Sequence, residues 1–147
     1  MSKRTVDYRA LAELRYQLRR FLHFSEEMSR EAGLEPHQHQ LMLALKGMPE
    51  GTRPRIAELA ERLQIRHHSA VELVDRLAKR GLIERQRGAD RREVLVNLTP
   101  EGEWMLQRLS VAHQEELKTQ GPILIAALEQ AIQPKPGGRA RRNGQRL

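Results

Sequence analysis

The chain contains no cysteine in its 147 residues. This excludes disulfides, thiolate metal sites, a cysteine nucleophile and thiol redox sensing, and it fits a cytoplasmic setting. Aromatic side chains are also scarce, with one Trp, two Tyr and two Phe, so no aromatic-walled ligand site can be read from the sequence. No apolar run approaches the roughly 20 residues needed to span a bilayer, and residues 1–9 lack the apolar stretch of a secretory signal. A soluble protein with no membrane partner is expected. There is no Ser/His/Asp arrangement on a recognisable scaffold, no glycine-rich phosphate loop and no metal-ligand spacing, so neither an enzyme nor a bound cofactor is expected. His37 and His39, two apart, and the adjacent His67 and His68 are poorly spaced to share an ion on a helix.

The net charge is +7, but Lys135, Arg139, Arg141, Arg142 and Arg146 lie in an acid-free tail, and setting those five aside leaves +2. The informative positive charge is local: residues 66–92 hold eight Lys or Arg against four acids, a footprint suited to a polyanion. The tail, residues 135–147, is rich in Gly and Arg and is expected to be disordered. It adds nonspecific affinity for nucleic acid, or it is an idle terminus; the sequence leaves both readings open.

Apolar residues at three- and four-residue steps, Leu11, Leu14, Leu18, Phe21, Leu22 and Met28, predict a long amphipathic helix over 7–32. Gly33 ends it, and Pro36 suits the first turn of a second helix carrying Leu41, Met42 and Leu45. Two short helices follow, marked by Ile56, Leu59, Ala60 and Leu63 and by Ala70, Leu73, Val74, Leu77 and Ala78, with residues 64–66 between them. That separation is the length a helix-turn-helix requires. Residues 82–87 and 93–98 read as two strands around Gly88-Ala89-Asp90, with Val94, Val96 and Leu98 on one face. Thr99-Pro100-Glu101 opens a helix to about residue 119, and Gly121-Pro122 predicts a break before a last helix through residue 131. The expected fold is mainly α with a small β-hairpin wing.

A helix with Ala70, Leu73, Val74 and Leu77 inside turns His67, His68, Val71, Glu72, Asp75, Arg76 and Lys79 outward. The major groove of B-DNA admits one helix, whose amino-terminal side chains reach base edges while longer cations hold phosphates. His67, His68 and Glu72 are therefore candidate base contacts, and Arg76 and Lys79 candidate phosphate contacts. Exposed acids on such a helix repel phosphate, which favours site selection over indiscriminate binding.

The stretches Ile56-Ala57-Glu58-Leu59-Ala60-Glu61-Arg62-Leu63, Val74-Asp75-Arg76-Leu77 and Gly81-Leu82-Ile83-Glu84-Arg85 resemble the DNA-binding core of the MarR family. Asp90-Arg91-Arg92 is similar to that family's wing signature, and Leu95-Val96-Asn97-Leu98-Thr99-Pro100-Glu101-Gly102 to its exit from strand to helix. The resemblance covers roughly residues 36–105. It implies a single domain over 1–134, with a winged helix-turn-helix core at about 36–100 and dimerisation helices at about 7–32 and 100–132. It further implies a homodimer whose two winged units meet successive major grooves of a palindromic operator in double-stranded DNA. The expected function is that of a sequence-specific transcriptional regulator, a repressor in the nucleoid released by a small-molecule effector; the alternative is a sequence-tolerant architectural DNA-binding protein. Arg92 would enter the minor groove, where a narrow groove concentrates negative potential, and Asp90 would orient the wing by pairing with a basic residue.

The sequence departs from the family where Arg66 stands in place of the usual Ser or Thr cap. Either Ser69 caps a helix that starts one turn later, or a DNA phosphate satisfies the free amides. Other readings also stay open. His67 and His68 are DNA contacts, pH-sensitive contacts or merely exposed polar residues. Arg85 and Arg87 touch phosphate or only solvate an exposed hairpin. Trp104 and Met105 pack in the core or line a small-molecule pocket.

Overall fold

The computed structural model describes residues 4–90 and 92–133; Arg91 and the basic tail at 135–147 lie outside the described residues. The element order is α1 (Tyr8–Glu31), α2 (Pro36–Lys46), α3 (Ile56–Leu63), α4 (His67–Lys79), β1 (Ile83–Arg87), β2 (Val94–Leu98) and α5 (Pro100–Ile132). The chain is mainly helical, and β1 and β2 form one antiparallel hairpin with Ile83 opposite Leu98 and Arg87 opposite Val94. Two compact units are present: one spans Ser25–Gln114, and the other contains the remainder of α1 and α5, up to Phe24 and from Glu115.

The Ser25–Gln114 unit is built on one core of Leu34, Leu41, Met42, Leu45, Leu59, Leu73, Val74, Leu77, Leu82, Ile83, Val96, Leu106 and Leu109. Each such leucine removed from water contributes about 1.5–3 kcal/mol, so the periodic apolar positions of α2, α3 and α4 decide how these helices face. The connections follow from their caps. Gly81, at φ +73°, lets α4 end with Leu82 N–H donating to the Leu77 carbonyl at 3.1 Å. The turn between α3 and α4 uses the same device without glycine: Gln64 sits at φ 54°, and Ile65 N–H donates to the Ala60 carbonyl at 3.0 Å. The Gln64 amide donates to the Glu61 carbonyl at 2.8 Å, a local bond that helps hold a conformation disfavoured for L residues.

Thr99 locks the base of the wing to α5. Its hydroxyl accepts from Gly102 N–H at 3.1 Å and donates to the Gly81 carbonyl at 2.6 Å, while Thr99 N–H donates to the Leu82 carbonyl at 3.1 Å. The expected hydroxyl cap of α5 is thus present, and it also reaches the end of α4. Gly102 is buried where a Cβ would strike the Leu82 carbonyl, so only glycine allows this approach.

The terminal segments differ from expectation in two ways. The helix break expected at Gly121-Pro122 is absent, and α5 runs unbroken through Pro122. A proline inside a helix forfeits one hydrogen bond and crowds the carbonyl four residues back, at a cost on the order of 3 kcal/mol, yet the good helix formers on both sides carry the helix past it. On α1, Leu14, Phe21 and Met28 are half-buried, but Leu11, Leu18 and Leu22 face solvent while Ala10 and Gln17 are buried. Ile123, Ile125, Leu128 and Ile132 are likewise exposed on α5.

A polar cluster interrupts the core. His39, 1% exposed, places Nδ1 3.0 Å from Ser29 Oγ, and the Ser29 hydroxyl donates to the Ser25 carbonyl at 3.0 Å. The ring of His39 stacks on that of His113, with centroids 4.9 Å apart. His113 Nδ1–H donates to the Leu109 carbonyl at 2.7 Å, and Nε2 lies 2.9 Å from Ser25 Oγ. Among the described residues His39 Nε2 is buried without a hydrogen-bond partner. Burial, and secondarily the neighbouring His113, lowers the His39 pKa to about 4 from 6.5. The unfolded chain therefore binds this proton more readily than the folded one, so the stability contributed by neutral His39 is complete above pH 6.5 and is lost as pH falls toward 4.

Two predictions follow from this packing. Stability from denaturant melts should fall between pH 6.5 and 4, with His39 contributing a slope approaching 1.4 kcal/mol per pH unit that the His39→Asn variant lacks; equal slopes in both proteins would remove His39 as the source. Gly102→Ala should destabilise the winged unit by about 2 kcal/mol or more, read by thermal melting, through displacement of α5 from Leu82.

Candidate nucleic-acid interface

Helix α4 is held by Ala70, Leu73, Val74 and Leu77, all at most 8% exposed. The inner face expected from the sequence is the one observed. His67, His68, Glu72, Asp75, Arg76 and Lys79 consequently face solvent, Ser69 is intermediate, and Val71, expected outward, is half-buried. The helix begins at His67 with Arg66 as its cap residue at φ −69°, ψ 151°, and no side chain caps it. The late start from Ser69 is therefore excluded: Ala70 N–H already donates to the Arg66 carbonyl at 3.1 Å, which closes the first turn. Among the described residues no side chain accepts from the amides of the first turn, at the end of the helix that carries the positive pole of its dipole.

Charges around α4 are paired across elements. Asp75 forms an ion pair with Arg85 of β1, so one of the two outward acids is neutralised by the wing. Arg76 lies 3.5 Å from Glu35, and Arg80 donates to the Gly33 carbonyl at 2.7 Å, tying the end of α4 to the turn between α1 and α2. Arg66, Lys79, Arg87 and Arg92 are exposed. Arg85, Arg87 and Arg92 belong to the hairpin, whereas His67, His68, Glu72, Arg76 and Lys79 belong to the helix, so the expected residues occupy two adjacent projections of one unit.

The expected pairing of Asp90 with a basic residue is not among the described contacts, and Arg91 beside it lies outside the described residues. Among the described residues the Asp90 carboxylate makes no ion pair; its Oδ1 accepts from Arg92 N–H at 3.1 Å, a turn bond that shapes the tip. Glu93 of the hairpin does pair with basic residues. Its Oε2 accepts from Arg53 Nη1 at 2.6 Å and its Oε1 lies 2.9 Å from Arg55 Nε. Arg55 reaches this position because it bridges Leu95 of β2, with Val96 N–H donating to the Pro54 carbonyl at 2.9 Å, so a short extended segment runs beside the hairpin. Sequence reasoning missed Arg53, Arg55 and Glu93; the alternation Arg53-Pro54-Arg55 ahead of α3 was the only sequence signal that could have pointed to them.

Trp104 is 56% exposed and so is not a core residue, and the Arg108 guanidinium lies 4.7 Å from its ring centroid. Met105 packs against the core. With Met28, Glu31, Ala32 and Arg108 they line a hollow of about 520 Å³. Among the described residues no three His, Asp or Glu side chains converge to hold a metal ion, and no helix is long and apolar enough to cross a membrane.

A helix-turn-helix followed by an antiparallel hairpin, with the second helix presenting a polar face beside a basic hairpin, defines a winged helix-turn-helix protein. Residues 32–93 match the family model described as MarR family. The uncharacterized HTH-type transcriptional regulator YsmB of Bacillus subtilis (strain 168) is 38% identical over 64 residues, which cover 43% of this chain and 44% of that protein. The match thus spans less than half of either protein. Among solved structures, AbsC, a MarR family transcriptional regulator from Streptomyces coelicolor, aligns with a TM-score of 0.68 at 20% identity, covering 90% of this chain and 95% of that one. A point mutant of MepR from S. aureus, bound to an oligodeoxyribonucleotide, aligns with a TM-score of 0.63 at 17% identity, covering 88% of this chain and 100% of that one. These likenesses establish the fold over nearly the whole chain.

Proposed function

We propose that the protein is a sequence-specific DNA-binding transcriptional regulator acting as a homodimer on a palindromic operator. The observation that carries this reading is the solvent-facing side of α4, with His67, His68, Glu72, Arg76 and Lys79 on a helix whose opposite face is anchored in the core. Its uncapped amino end leaves amides for a phosphate, and the wing beside it carries Arg85, Arg87 and Arg92. In this reading α4 enters the major groove, His67, His68 and Glu72 contact bases, and Arg66, Ser69, Arg76 and Lys79 contact the backbone. Arg92 reaches the adjacent minor groove from a tip shaped by Asp90, and Arg87 holds phosphate. The MepR structure with an oligodeoxyribonucleotide supports the assignment by likeness of fold.

Dimerisation is supported by the leucine and isoleucine side chains left in water on the terminal segments. Leu11, Leu18 and Leu22 of α1, with Ile125, Leu128 and Ile132 of α5, are each 37–67% exposed. Such a concentration of apolar surface is costly unless a second copy covers it. Release from DNA by a small molecule is part of the proposal, with the hollow beside Trp104, Met105 and Arg108 as the place for an effector.

Selection of bound duplexes from a random DNA pool at moderate salt tests the function. An inverted repeat with half-sites about 10 bp apart is the expected product, and no enrichment would favour the architectural alternative. Arg92→Ala should weaken binding to the selected site by about 1–3 kcal/mol while leaving the oligomeric state intact, and unchanged affinity would remove the wing from the mechanism. Sedimentation at micromolar concentration should give a dimer, and the double variant Ile125→Glu/Leu128→Glu a monomer; a wild-type monomer would overturn the dimeric mechanism.

A further inference from the structure

Between the wing and the start of α4 lies a trough of about 560 Å³, lined by Arg53, Arg55 and Ala57 ahead of and within α3, His67 of α4, and Arg92 and Glu93 of the hairpin. If α4 occupies a major groove and the wing the neighbouring minor groove, one sugar-phosphate strand must pass between them, and this trough is the space it passes through. We propose that Arg53 and Arg55 grip a phosphodiester of that strand, and that Glu93 is the positioning residue that holds the two guanidiniums side by side. The proposal rests on the DNA-binding reading above and adds to it a backbone contact outside the helix and wing tip.

Four observations carry it. Arg53 and Arg55 alternate along one extended segment that bridges β2, so both side chains project from the same face. Their side chains remain about half exposed, at 52% each, although both contact one carboxylate. The Glu93 side chain is 10% exposed and lies beneath them, accepting from Arg53 at 2.6 Å and making a 2.9 Å ionic contact with Arg55. Each guanidinium has five N–H groups, and the carboxylate takes few of them, so donors remain for an anion's oxygens. Finally, the fold makes room for this carboxylate: a Cβ on Gly88 would lie 2.7 Å from Glu93 Oε2, and Gly88 N–H donates to the Glu93 carbonyl at 2.8 Å across the wing.

The electrostatics favour a phosphodiester over a stronger anion. Among the described residues lining the trough, two guanidiniums and one carboxylate leave one net positive charge and Arg92 and Asp90 balance one another, which suits the single negative charge of one backbone phosphate. Glu93 lowers the mutual repulsion of Arg53 and Arg55, so the pair is already arranged before DNA arrives.

The test is DNA affinity as a function of salt, measured by fluorescence anisotropy on the selected duplex and on an unrelated one. Arg53→Ala and Arg55→Ala should each lower the slope of log K against log salt by about one, and together weaken binding to both duplexes by about tenfold or more. Arg62→Ala, an exposed cation on α3 away from the trough, should leave the slope unchanged. Glu93→Ala should weaken binding in the wild-type background and have no further effect when Arg53 and Arg55 are already alanine, since a carboxylate acting through them has nothing left to position. A further loss in that background would make Glu93 a structural support of the wing and overturn its positioning role. Unchanged slopes for both arginine variants, with wild-type DNA binding intact, would overturn the clamp alone. A wild-type protein that binds no duplex would overturn the DNA-binding reading and the clamp together.

Discussion

Burial of one face of α4 is the constraint on which the winged unit depends. Leu73, Val74 and Leu77 share a single core with Leu41, Met42, Leu59 and Val96, Ala70 on the same face is fully buried, and no other rotation of the helix keeps all four out of water. The 100° step between successive residues then dictates the outward set. A polar face at a helix surface is ordinary; this one differs in that its direction is fixed by a core shared with α2, α3 and the hairpin. The surface proposed to read DNA is in effect the reverse side of the hydrophobic core.

A second set of constraints places the wing relative to that helix. Thr99, Gly81 and Gly102 meet where α4 ends, the hairpin begins and α5 starts, through hydrogen bonds of 2.6 and 3.1 Å and a contact that admits no Cβ. On the other side of the hairpin, Glu93 draws Arg53 and Arg55 onto the wing, and Asp75 pairs with Arg85 between α4 and β1. These ion pairs are partly exposed and contribute modestly to stability, but they set where guanidinium groups stand relative to one another. Position, more than energy, is what they supply to the surface proposed to bind a polyanion.

The core and the site were unequally legible in the sequence. Helix periodicity, caps and the turn at Gly88-Ala89-Asp90 placed six of the seven elements closely, because those signals are local and the apolar faces are unambiguous. The break expected at Gly121-Pro122 did not occur, since the preference of one proline was outweighed by the rest of a 33-residue helix. On α1 the leucine stripe was legible, but its burial was not: the chain alone leaves Leu11, Leu18 and Leu22 in solvent and buries Ala10 and Gln17. The apolar stripe of an interface and that of a core have the same period, so periodicity cannot tell which of the two a helix presents.

By itself the sequence determined the order of helices and strands, the inner face of α4 and, through its resemblance to a family, the wing, because each is encoded within a few neighbouring residues. Only the tertiary structure decided that α4 starts at His67 without a side-chain cap among the described residues, that Glu93 pairs with Arg53 and Arg55, and that His39 is buried against His113. Those outcomes depend on residues up to 74 positions apart being brought within a few ångströms of each other, or on a cap that no neighbour supplies. Local propensity and spacing cannot report a distance that exists only after the core has closed.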